Sequence, residues 1–341
     1  MTAYRASRPT GKKLTALATA LTLSASLGVA HAASQRVAAV VKDLDNPFFG
    51  AMADGLRAQA KTSDTDLTVQ AVQSITNSLE QANKLQALAG QSYGCYVVDP
   101  ISQTNLVQPL VSVGRKGRPI VNIDNPIGED AIKAANLPVT SYIGTDNVAA
   151  GRLAADAMSD LVPKGSDVAM IGGIPGGATS EARLSGFRQG AKEQGLEVVQ
   201  TVAAKWKRQR ALTKATYILR SRPDVKGFFV ANDDMGLGVV RAIANAGRTG
   251  EVAVVSIDGI KEALTSIKQG GLSATVSQYP YSMGRMGLEA CRAAMTGHSV
   301  PRKVDAPVLL VTPKNVDSAI EHFPRPFKPY DDPFASSASN Q

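Results

Sequence analysis

Asp, Asn and Gln residues gather where apolar, β-branched runs end. Asp43, Asp45 and Asn46 follow the run 37–42, with Phe48 and Phe49 just beyond. Asp99 closes the run 95–99, Asp124-Asn125 closes 119–124, and Thr145-Asp146-Asn147 follows 141–144. Further on come Asn232-Asp233-Asp234, Asp258-Gly259 and Ser277-Gln278-Tyr279. Carboxylates and planar amides each offer two hydrogen-bonding positions, which suits the vicinal hydroxyls of a polyol. Aromatic faces such as Phe48, Phe49 and Trp206 would cover the apolar C–H side of a sugar ring. Taken singly, each Asp or Asn equally suits capping the helix that follows. Their accumulation at so many run ends is what points to a ligand.

Ten short runs read as strands: 37–42, 67–72, 95–99, 119–124, 141–144, 167–171, 197–202, 227–230, 252–257 and 274–276. Between them lie amphipathic helical stretches such as 48–62, 78–90, 149–161, 180–194, 211–220 and 236–246. Strands apolar on both faces, separated by helix-length crossovers, predict parallel sheets covered by helices on each side. Ten strands are many for one doubly wound sheet, and the halves 36–140 and 145–278 each repeat the alternation. The fold class expected is therefore α/β with two lobes. Such sheets bind ligands beyond the carboxyl ends of their strands, where the polar residues fall.

The 341 residues carry 37 Lys and Arg against 29 Asp and Glu, with 44% hydrophobic and 19% charged residues. This is globular composition and excludes disordered, collagenous or polytopic membrane proteins. Half of the +8 excess sits in residues 1–32, which hold Arg5, Arg8, Lys12 and Lys13 and no acid. The rest is spread along the chain, so nucleic acid is not the expected partner. An apolar run over 14–30 and the pattern Ala30-His31-Ala32 complete the layout of a secretory signal peptide cleaved after Ala32. The run is rich in Ala, Thr and Ser and shorter than the ~20 predominantly apolar residues of a membrane span. No Cys stands near the cleavage point, so a lipid anchor is not expected.

Cys95 and Cys291 are the two cysteines. Export permits a disulfide, but two residues of a mostly buried type so far apart are expected to be independent core thiols. Gly172-Gly173-Ile174-Pro175-Gly176-Gly177 follows a strand without the Lys-Ser/Thr of a phosphate loop and reads as a rim loop. His298 and His322 lie apart, so neither a metal site nor a histidine triad assembles, and no cofactor is expected. The basic run 205–210 around Trp206 reads as a solvated helix start. Residues 323–330 are Pro-rich and 335–341 small and polar, a tail expected to wrap the surface or stay disordered.

Val41-Lys42-Asp43-Leu44-Asp45-Asn46-Pro47-Phe48-Phe49, Ile143-Gly144-Thr145-Asp146-Asn147, Ala231-Asn232-Asp233-Asp234-Met235, Val255-Ser256-Ile257-Asp258-Gly259 and Ala274-Thr275-Val276-Ser277-Gln278 occur in that order. Together they resemble the ribose/allose branch of the periplasmic sugar-binding proteins of ABC importers, from Arg36 to about Thr312. The resemblance implies the type I periplasmic binding protein fold, two Rossmann-like lobes with parallel sheets joined by three crossings, with a sugar between them. Residues 36–142 plus 279–305 would form the first lobe and 143–278 plus 306–322 the second, hinged near Ile143, Gln278 and Ala306. It further implies ligand contacts from Lys42, Asn46, Phe48, Phe49, Asp99 and Asp124 in the first lobe. The second would supply Glu181, Arg183, Trp206, Asn232, Asp258 and Gln278.

Lys42 and Glu181-Ala182-Arg183 resemble the allose-binding members more than the ribose-binding ones. Asp99, Asn125 and Ile257 depart from the relatives and alter the cleft, leaving open which sugar, polyol or amino sugar is bound. The function implied is a monomeric, non-enzymatic periplasmic receptor handing a monosaccharide to an ABC permease. The alternative is a sensory protein presenting its ligand to a chemoreceptor or sensor kinase. A transcription regulator built on this fold would carry a helix-turn-helix where this chain has the export signal. An enzyme would need a base and nucleophile pair that the strand ends lack.

Overall fold

The computed structural model describes residues 36–334, together with Met1 and Ala6; the rest of the segment expected to be a signal peptide and the last seven residues lie outside the described part. In chain order the first half runs β1 (Val37–Val41), α1 (Pro47–Thr62), β2 (Leu67–Ala71), α2 (Ser78–Ala89), β3 (Cys95–Val98), α3 (Val107–Arg115), β4 (Ile120–Ile123), α4 (Glu129–Ala134) and β5 (Val139–Gly144). The second half repeats the pattern: α5 (Asn147–Ser159), β6 (Asp167–Gly172), α6 (Ala178–Gln194), β7 (Glu197–Ala203), α7 (Arg208–Ser221), β8 (Gly227–Val230), α8 (Asp233–Asn245), β9 (Ala253–Asp258), α9 (Lys261–Lys268) and β10 (Ala274–Ser277). The chain finishes with α10 (Pro280–Met295), β11 (Lys303–Asp305), β12 (Leu309–Val311) and α11 (Val316–His322).

Two six-stranded sheets result, with strand orders β11-β5-β4-β3-β1-β2 and β12-β10-β9-β8-β6-β7. All described pairings are parallel except β10 with β12, which is antiparallel. The α/β class with two Rossmann-like sheets, as read from the sequence, is therefore what forms. The chain passes between the sheets after β5, after β10 and between β11 and β12.

The central strands are apolar throughout because both faces are covered. In β1, Val37, Ala39 and Val41 pack with Met52, Leu56 and Met286 of α1 and α10, while Ala38 and Val40 pack with Leu85 and Leu110 of α2 and α3. Alternate side chains thus enter opposite layers, as the two-residue strand period requires. Strand ends are tied to helix starts by caps: Asn46, Asp146 and Asn232 accept the first free amides of α1, α5 and α8.

Two expectations are corrected or completed here. Cys95 and Cys291 are not independent thiols but form a disulfide, with Cα atoms 5.7 Å apart. The reason is packing: α10 lies across β3, β4 and β5, which brings position 291 against the start of β3 despite the long separation in sequence. The Pro-rich tail packs rather than trailing away. Asp332 pairs with Arg285 of α10, Arg325 lies over the Tyr281 ring at 5.5 Å, and Phe334 is buried.

Candidate functional site

A cavity of about 740 Å³ opens between the carboxyl ends of the two sheets. Lys42, Asn46, Phe48, Phe49, Asp124, Arg183, Trp206, Asn232 and Asp258 all line it. Three of the residues expected there stand elsewhere. Asp99 is fully buried behind Lys42. Glu181, in the first turn of α6, accepts from the Gly176 amide on the rim at 3.3 Å. Gln278 is fully buried and donates through Nε2 to Oδ1 of Asp258 at 2.7 Å. The Oε1 atom of Gln278 has no hydrogen-bond partner among the described residues.

Each sheet contributes one carboxylate in a left-handed backbone conformation and one cation against it. Asp124 (φ +56°) follows β4, and its Oδ2 lies 2.9 Å from the Lys42 ammonium, which also meets Oδ1 of Asp99 at 2.9 Å. Asp258 (φ +145°) ends β9, and its Oδ1 lies 3.2 Å from the Arg183 guanidinium. Non-glycine residues in this region of backbone space cost of order 1–3 kcal/mol and persist only where their surroundings hold them. Around Asp124 that support comes from the Tyr142 hydroxyl, which donates to the Asp124 carbonyl at 2.8 Å. Gly144 permits it, since a Cβ there would stand 2.2 Å from the tyrosine oxygen.

Burial works against the Lys42 charge, but the fields of Asp124 and Asp99 outweigh it and hold the ammonium above the ordinary lysine value. Burial pushes the Asp99 carboxyl well up, against the pull of Lys42 and with the help of Asp124. Burial likewise raises Asp258 well above the usual carboxylate range, with Arg183 opposing. Arg183 is fixed on three sides, donating also to the Ala231 carbonyl at 2.6 Å and to Oδ1 of Asn147 at 2.8 Å.

The apolar walls come from both sides. Phe48 and Phe49 meet edge to face at 5.2 Å, with the Lys42 ammonium 4.8 Å above the Phe49 ring. Trp206 follows β7 at positive φ and lies against Gly173, where a Cβ would come within 2.1 Å of the indole. That close approach gives the Gly-rich rim loop a physical role: its glycine lets the ring sit flush on the backbone.

Sequence reasoning did not select several residues that the fold brings here. Thr179 at the start of α6 donates to Oδ1 of Asn125 at 2.9 Å, across the mouth of the cavity. Asn122, inside β4, donates to the Asn125 carbonyl at 2.9 Å and accepts from the Ile127 amide at 2.8 Å, which shapes the turn carrying Asp124. An Asn inside an apolar strand is a signal of such a peg, and it was available. Among the described residues, no group of three or more His, Cys, Asp or Glu side chains could hold a metal ion. Paired carboxylates, a guanidinium, amides and aromatic faces around one cavity can bind a neutral polyhydroxylated ring by many simultaneous hydrogen bonds.

The periplasmic binding protein domain matches residues 37–299. The chain is 37% identical over 259 residues to the D-allose-binding periplasmic protein of Escherichia coli (strain K12), covering 75% of this chain and 83% of that protein. It is 32% identical over 274 residues to a ribose import binding protein of Bacillus subtilis (strain 168), covering 80% of this chain and 86% of that one. Its fold is similar to that of an ABC transporter periplasmic solute binding protein from Actinobacillus succinogenes with bound D-allose. There the TM-score is 0.79 at 28% identity, over 83% of this chain and 99% of the other.

Proposed function

This chain belongs to the periplasmic sugar-binding proteins of ABC importers, in their ribose and allose branch, and on that premise we propose that it is a non-enzymatic receptor delivering a monosaccharide to a permease. The observation that carries this reading is the pair of carboxylates Asp124 and Asp258, one from each sheet, facing one cavity with aromatic walls. Asp124, Asn232 and Asp258 hold the hydroxyls, with Lys42, Asn46 and Arg183 as donors, Phe49 and Trp206 on the ring faces, and Gln278 orienting Asp258 from behind. Asp99 and Glu181 act from behind and from the rim. The Asp99 charge faces Lys42 rather than the cavity, which supports a neutral aldose such as allose or ribose over a cationic amino sugar.

Delivery needs a form that the permease can distinguish. A ligand shifts a two-state equilibrium only by its differential affinity, and contacts divided between two sheets exist only when the lobes are closed. The lobes, residues 36–142 plus 279–305 and 143–278 plus 306–322, hinge where the chain passes between sheets, and the closed surface docks on the permease. The export signal and the disulfide both suit the oxidising periplasm.

Thermal-shift screening of the purified protein against aldoses, ketoses, polyols and amino sugars, followed by calorimetry, tests the reading. D-Allose or D-ribose should stabilise it and their epimers should not, because an inverted hydroxyl leaves buried groups unpaired at ~1–3 kcal/mol each. Stabilisation by amino acids or peptides alone overturns the proposal. A smaller radius of gyration on sugar binding tests the hinge, and an unchanged radius at saturation rejects it.

A further inference from the structure

Asp233, the first residue of α8, is fully buried and does not line the cavity, yet its carboxylate accepts four hydrogen bonds. Oδ2 accepts the amides of Gly259 at 2.7 Å and Ile260 at 2.9 Å. Oδ1 accepts the hydroxyl of Thr275 in β10 at 2.7 Å and that of Ser256 in β9. Four donors from two neighbouring strands and the following turn thus converge on one side chain.

The turn so held is the one that aims Asp258. Asp258 and Gly259 stand in succession at φ +145° and +76°, and a Cβ at Gly259 would meet Ser277 Oγ at 1.8 Å. Two consecutive residues in left-handed space do not keep their place unaided. Ile260 precedes α9 without a side-chain cap bond of its own, and Asp233, from a neighbouring helix, holds the Gly259 and Ile260 amides just ahead of the first turn. Asp258 is left free of that duty, its Oδ1 facing Arg183 and Gln278.

We propose that Asp233 is a positioning residue for the binding site: its carboxylate fixes the Asp258–Gly259 turn so that the Asp258 carboxylate faces the cleft. The inference rests on the sugar-binding reading above only in naming the readout. Asp234 beside it has no such part; it faces outward and pairs with Arg208 at 2.9 Å.

The Asp233→Asn and Asp233→Ala variants test it, with D-allose as the probe. Asparagine can turn its oxygen to the two amides and donate from its NH₂ to the two hydroxyl oxygens, so it keeps all four bonds. Alanine keeps none. Asp233→Ala should lose at least tenfold in D-allose affinity by calorimetry, and at least tenfold in exchange protection at the Gly259 and Ile260 amides of the ligand-free protein. Asp233→Asn should restore both to within about threefold. Val239→Ala, a buried truncation on the same helix, gives the control for general loss of stability.

If Asp233→Ala binds as the parent does, or weakens no more than Val239→Ala while the two amides stay protected, the inference is overturned. If the parent protein does not take D-allose, the sugar reading loses its leading ligand. The exchange of the two amides then decides the positioning role alone.

Discussion

The Thr179 hydroxyl donates to Oδ1 of Asn125 at 2.9 Å, joining a helix on the second sheet to the turn after β4 of the first. Such a bond forms only while the two sheets are close. Thr179→Val removes the donor and leaves a buried amide oxygen unpaired, at about 1 kcal/mol. Affinity for the sugar should fall about fivefold, chiefly through faster release, which stopped-flow fluorescence from Trp206 would follow. A release rate equal to the parent's would show that the bond takes no part in holding the closed form.

Asp258→Ala should weaken sugar binding by about 2 kcal/mol or more, roughly thirtyfold, since a charged acceptor is lost and the hydroxyls it held go unpaired. Helix α9 should survive the change, because the turn leading into it is held at the Gly259 and Ile260 amides by Asp233 rather than by Asp258. Calorimetry alongside a melting curve separates the two effects. A large drop in melting temperature with intact affinity would return Asp258 to a structural role.

Stability should depend on pH through Glu289 of α10. Burial pushes its carboxyl up to about 7, with Arg285 opposing and Asp332 adding to the rise. The native protein therefore holds a proton that the unfolded chain has released between about 4.5 and 7, so stability falls as pH rises through that window. The contribution is fully present below about 4.5 and gone above about 7. Solvent reaching the partly exposed Arg285–Glu289 pair screens part of the effect, leaving about 1–2 kcal/mol. Denaturant midpoints across this range should show that decline in the parent and a flatter profile in Glu289→Gln.

Removing the disulfide with Cys95→Ala and Cys291→Ala together should cost up to about 5 kcal/mol, as the chain-entropy account gives for so long a loop. Guanidinium unfolding would measure it. Affinity for the sugar should not change, because neither cysteine lines the cavity.

What was legible in the sequence was whatever has a local cause. β-Branched runs and helix-length gaps gave both sheets, and polar residues at run ends fell at the cavity because parallel strands all point their carboxyl ends the same way. Position 291, by contrast, meets position 95 only through the face that α10 turns to β3, and no spacing encodes that. Asp233 and Asp234 look alike as acids opening a helix. The rotation of α8 against β9 and β10 buries one and leaves the other partly exposed. Thr179 lies between the Gly-rich loop 172–177 and the helical stretch 180–194, and only the approach of the opposite sheet gives its hydroxyl a partner. The tail's prolines forbade a helix without saying which surface it would cover.

The bond between Cys95 and Cys291 also makes most of this molecule a covalent ring. Everything from β4 to the third turn of α10 lies inside it, including five of the six strands of the second sheet. The first two passages between sheets fall within the ring and the third outside it. A protease that nicks any loop of the ring once therefore releases nothing: the two ends stay joined through sulfur, and the cut becomes visible on a gel only after reduction. A machine pulling the chain from its C-terminus would meet the bond at position 291 and have to draw three strands through at once, the arm toward residue 290 and both arms leaving Cys95.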